Sequence, residues 1–202
     1  MKLIRKIKKH EVLRRWAIAE VYAEYLNLTH LDYPQETLRL LHSNDRELEQ
    51  IGISRSLKIH HLSLLDCMPS DTSWFLAGLE INKSEFDQLY TLPVIDLAKI
   101  SRDTYKVSNA AAVIQQNPLL DPRITAIRNA LKSNPEQVQM SGIILLAKDF
   151  DGPFTVIEGN GRLIGLYSIL FLEENSFTPN DQIEVAIGLS DSKFEILYEY
   201  LD

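Results

Sequence analysis

The run Glu158-Gly159-Asn160-Gly161-Arg162 joins the β-branched segment FTVIEG to the helically spaced RLIGLYSILFLEEN, and it concentrates the groups that could do chemistry. A strand passing directly into a helix leaves first-turn N–H groups unpaired at the positive end of the helix dipole. Glycine lets the main chain turn left-handed and lets an anion approach it, and an arginine in the first turn adds a planar, two-pronged donor. These features predict a phosphate cradle built from the amides of Gly159, Asn160 and Gly161 and the guanidinium of Arg162. The same residues also suit a purely structural turn, with Asn160 capping the helix and Arg162 paired to an acidic neighbour.

Two carboxylates are candidates for a general base or metal ligand beside such a phosphate: Glu158, closest in sequence, and Asp96, at the end of LPVID. Phosphoryl transfer needs a cation to bridge the phosphate oxygens, and hard oxygen ligands point to Mg2+ accompanying a nucleotide. Arg123 and Arg128, on the preceding helix, could reach the same anion. Asp149 and Asp151 read as turn formers. His60 and His61 are adjacent, so their side chains diverge and make a poor metal pair. The single cysteine, Cys67, cannot form an internal disulfide, which fits a reducing, cytoplasmic setting and a small core residue.

The order of ITAIRNALKS, the strand GIILLA, the strand–GNGR–helix unit and IEVAIGLS resembles the ParB/sulfiredoxin-like fold over roughly Leu92 to Ser190. That resemblance implies a nucleotide phosphate held at a Gly-x-x-Arg turn, with Gly159 and Arg162 at the family's two fixed positions and Asn160 and Gly161 at its variable ones. Glu158 stands where many relatives have an acid. The turn has no cysteine, so the resemblance implies no sulfinic acid reductase activity. GNGR also ends the Fic adenylyltransferase motif, but the catalytic histidine before it is missing here.

Positioning the turn requires a core, and 202 residues, 45% hydrophobic and 24% charged, suffice for one. Residues 1 to 15 carry seven Lys/Arg against Glu11, a net +6 within a total of −7, so the rest holds −13. So acidic a body makes duplex DNA an unlikely partner, because nucleic-acid affinity depends on phosphate neutralisation over a face. No apolar run approaches the roughly 20 residues that cross a bilayer.

Apolar spacing predicts a helix from about Lys9 to Leu28 along Leu13, Trp16, Ala17 and Val21, then helices after Pro34 and after the Asn44-Asp45 break. SLKIHHLSLLD is expected as a strand. A short capped helix is expected at Ser70–Leu79 and another after Asn82. LPVIDL reads as a strand, RITAIRNALKS as a helix behind Asp121-Pro122, and QIEVAIGLS and KFEILYEYL as a closing strand and helix. The fold class expected is α+β: an all-helical N-terminal region, 1–91, followed by a ParB/sulfiredoxin-like module with a small mixed sheet, 92–202. The N-terminal helices would offer a protein partner a surface, with Trp74, Phe75 and Tyr90 as apolar contacts, in the alternative reading of a non-catalytic interaction module.

Overall fold

The computed structural model describes residues 1–26, 31–57, 64, 66–173 and 182–192. Six strands form one mixed sheet: β1 (Lys2–Lys6), β2 (Ser73–Glu80), β3 (Leu89–Thr91), β4 (Ile144–Ala147), β5 (Phe154–Glu158) and β6 (Gln182–Leu189), in the order β1-β2-β6-β4-β5-β3. β2 pairs antiparallel with β1 and β6, β4 runs parallel to β6 and antiparallel to β5, and β5 runs parallel to β3.

Both faces of the sheet are covered. α1 (Lys9–Tyr25), α2 (Pro34–Leu41) and α3 (Arg46–Ser56) lie on one side, α6 (Val107–Gln116), α7 (Pro122–Ser133) and α8 (Asn160–Tyr167) on the other, with the short α4 (Lys83–Phe86) and α5 (Ile95–Ser101) between β2 and α6. The period of two along a strand sorts its side chains between two cores. Ile144 and Leu146 of β4 pack with Trp16 and Leu41, whereas Leu145 packs with Ile127 and Leu163. A π-helical turn, Ser168–Leu172, extends α8.

The chain is therefore α+β, but the first 91 residues are not all helical. Strands β1, β2 and β3 come from that part and hydrogen-bond into the same sheet as β4, β5 and β6, so the expected boundary at 91/92 falls inside one hydrogen-bonded assembly. β2 replaces the helix expected at Ser70–Leu79. It is buried on both faces along Leu76–Leu79, so it lacks the alternation that marks a half-exposed strand, and its Ser-Asp-Thr lead-in mimics a helix cap. Trp74 is buried in the sheet rather than offered to a partner.

LPVIDL is not a strand: β3 stops at Thr91, Pro93 follows, and α5 begins at Ile95. Between LPVIDL and RITAIRNALKS lies α6, whose buried Val107, Ala110, Ala111 and Ile114 carry the i, i+3, i+4, i+7 spacing of a helix face. The helices at α1, α2, α3 and α7 and the strands β4, β5 and β6 lie where apolar spacing and caps predict them. The strand expected over SLKIHHLSLLD, the helix KFEILYEYL and the pair His60-His61 lie largely or wholly outside the described residues.

Candidate functional site

β5 ends at Glu158 and α8 begins at Asn160, so Gly159 alone makes the turn. Its φ of 97° lies in the left-handed region, and a Cβ there would stand 2.8 Å from Ile143 Cγ1. Gly161 has a different cause. A Cβ at that position would meet Ile127 Cδ1 at 2.9 Å, so the glycine lets α8 approach α7 closely.

The Asn160 side chain does not cap α8. Its Oδ1 accepts the Leu92 N–H at 3.2 Å and its Nδ2 donates to the Val156 carbonyl at 3.2 Å, which ties the end of β3 to β5. Arg162 is also anchored internally. Nη1 donates to the Gln139 carbonyl at 2.6 Å, and Nη2 donates to the Gly142 carbonyl at 3.0 Å and to Glu158 Oε1 at 3.3 Å. A guanidinium has five N–H donors in a fixed plane, and this one spends its two terminal nitrogens on holding the segment before β4 against the turn. Arg162 frames the site rather than reaching freely into it.

A cavity of about 300 Å³ opens at this turn. Residues 158–162 line it on one side, Glu20 and Tyr22 of α1 and Arg123 and Ile124 of α7 on others, and the carboxylates Asp96 and Asp121 line it as well. The first-turn residues of α8 thus line a solvent-accessible volume, and the Gly159 amide donates to Glu158.

Of the carboxylates expected here, Glu158 lies inside. Burial pushes its carboxyl above the ordinary value of 4.5; Arg162 opposes this, the neighbouring Glu20 reinforces it, and Arg123 and the Gly159 amide return only part. Burial likewise lowers the Arg162 guanidinium, with Glu158 and Glu20 opposing. Asp96 stands at the rim, 84% exposed and paired to Lys99 at 3.1 Å on its own helix. Arg123 and Arg128 separate. Arg123 lines the cavity and has no ion-pair partner among the described residues, whereas Arg128 lies 3.8 Å from Glu173 on the far side of α7.

Sequence reasoning missed Glu20. It is 6% exposed and accepts a 3.2 Å hydrogen bond from Trp16 Nε1. The signal was present: Glu20 falls four residues after Trp16 and next to Val21, an acid within the apolar stripe of α1.

Among the described residues, no group of three or more His, Cys, Asp or Glu side chains is arranged to hold a metal ion, and no helix is long and apolar enough to cross a membrane. Comparison with protein-family models, curated proteins and solved structures gives no match.

Proposed function

We propose that this protein binds a nucleotide or another small phosphorylated ligand in the cavity at the β5–α8 turn. The observation that carries the reading is the meeting, in one accessible volume, of the first-turn residues of α8 and Arg123, which makes no ion pair within 4 Å among the described residues. A helix start supplies aligned N–H donors and a partial positive charge, and a guanidinium adds a formal one. The ParB/sulfiredoxin resemblance of the strand–GNGR–helix unit supports the same ligand class. In this reading the cation on the phosphate is Arg123, while Arg162 keeps the turn in shape.

Glu158 is the carboxylate placed to accept a proton if the bound phosphate is transferred, since burial raises its proton affinity. Asp96 is a rim residue that can meet a cation accompanying the ligand. If Mg2+ accompanies the ligand, Glu158 and Asp96 would be the carboxylates available to hold it, and it would supply charge neutralisation of the phosphate.

Titration calorimetry with ATP, CTP, AMP and inorganic phosphate tests the proposal. Binding of at least one phosphate ligand is expected, weakened about tenfold or more in Arg123→Ala, the usual consequence of losing a charged hydrogen bond. Absence of heat with every one of them would overturn it.

A further inference from the structure

The sheet has an open margin at β1. This strand hydrogen-bonds to β2 on one side, and no other strand among the described residues lies on its far side, so alternate N–H and C=O groups of Lys2–Lys6 face outward. All five residues are exposed, and Leu3 and Ile4, 49% and 46% accessible, are two of the large apolar side chains the fold leaves in water. The opposite margin, at β3, is occupied: the Tyr105 carbonyl accepts the Thr91 N–H, and Lys106 bridges Tyr90.

Beside β1 lies a groove of about 650 Å³ whose lining carries five cations, Arg5, Lys6, Lys8, Arg14 and Arg46, against Glu11 and Glu49. Two of the cations are answered internally, since Arg5 donates to Glu11 at 3.0 Å and Arg14 to Glu49 at 3.1 Å. Lys6, Lys8 and Arg46 make no ion pair within 4 Å among the described residues, and neither does Lys2. The chain beyond residue 15 holds −13, so this margin is where a negative partner is drawn rather than repelled.

Charge also decides between occupants. A second copy pairing through the same strand would set KLIRK against KLIRK, with cations facing one another across the ladder, which is destabilising. A nucleic acid or a lipid surface would meet the cations but leave the outward amides and carbonyls without partners. An extended peptide with acidic and apolar side chains uses every feature at once: main chain against main chain, carboxylates against the free lysines, and apolar groups against Leu3 and Ile4. We infer that β1 is a docking edge for an acidic, extended segment of another protein, which joins the sheet as a further strand with its carboxylates along the groove of Lys6, Lys8 and Arg46. The surface is separate from the cavity, with three strands between β1 and β5.

Fluorescence anisotropy on the intact protein tests it. The probe is a labelled peptide of about six residues, the usual strand length, alternating Glu with Val. Its companions are two N-methylated forms, one on each alternate set of amides, and an analogue with Lys in place of Glu. A strand pairs with its neighbour through one alternate set only, so one N-methylated form should bind about tenfold or more weakly while the other keeps the parent's affinity. The Lys6→Glu, Lys8→Glu double variant should weaken the parent peptide about tenfold, with circular dichroism checking its fold. Amide hydrogen exchange over residues 2–6 should slow when the parent peptide is added. Absence of binding, equal affinities for the parent and both N-methylated forms, or equal binding of the Lys analogue would overturn the inference. So would tighter binding of an oligouridylate or of phosphatidylserine vesicles that the same double variant abolishes.

Discussion

Glu11 and Arg15 on α1 stand 3.2 Å apart, and Glu158 and Arg162 across the β5–α8 turn stand 3.3 Å apart, both with a four-residue spacing. Their carboxyls nevertheless move in opposite directions. Burial pushes Glu11 upward, but hydrogen bonds from both Arg5 and Arg15 outweigh it and hold the group below its ordinary value. Burial also pushes Glu158 upward, and there it prevails, because Arg162 divides its donors among two carbonyls and one carboxylate and Glu20 adds a second negative charge. The charge on a carboxylate is thus set by the sum of its surroundings, not by the presence of one arginine. The two pairs are similarly exposed; what sets the inner one apart is that it lines the cavity beside Glu20.

The largest effect expected is at the inner arginine. Arg162→Ala would leave the Glu158 carboxylate and the Gln139 and Gly142 carbonyls without their buried donor, a loss of about 3–5 kcal/mol in urea unfolding. A cost as small as that of a surface pair would erase the distinction between the two pairs. Gly159→Ala comes next. The left-handed φ and the contact with Ile143 should cost about 1–3 kcal/mol, and its thermal midpoint would reveal it. Asn160→Ala removes the tie between β3 and β5 and should cost about 1–2 kcal/mol; a neutral result would mean that the turn holds without it.

A finer prediction concerns pH. The raised Glu158 carboxyl means that, above 4.5, the folded chain retains a proton that the unfolded chain has released. Stability from this group is present at low pH and is lost as pH rises through the folded value. Urea unfolding at a series of pH values should therefore show wild type losing stability relative to Glu158→Gln as pH climbs from about 4.5 toward neutrality. A difference that grows in the other direction would mean that Arg162 dominates Glu158 as the arginines dominate Glu11. Smallest of all, Arg5→Ala, at a side chain 51% exposed, should cost only about 0.2–1 kcal/mol.

Much of the scaffold was legible. Trp16, Ala17 and Val21 mark the buried face of α1, Asp121 caps α7 behind Pro122 by accepting the Ile124 N–H at 2.9 Å, and the β-branched runs of β5 and β6 are strands. β1 was not legible, because an edge strand of five exposed residues, KLIRK, carries no burial pattern. β2 failed for the opposite reason, being buried on both sides. At the cavity, Glu158 and the first-turn residues of α8 were singled out from the sequence, the Asn160 side chain does not cap the helix as one reading had it, and Glu20 was passed over.

The sequence by itself determined that a strand runs through a glycine turn into a helix at 158–162, since local sterics and apolar spacing act over a few residues. Only the tertiary structure decided what that turn faces. Carbonyls 20 and more positions away claim the Arg162 guanidinium, and α1, 140 positions upstream, brings Glu20 to the cavity. Such contacts depend on which faces the sheet brings together, and no local pattern encodes them.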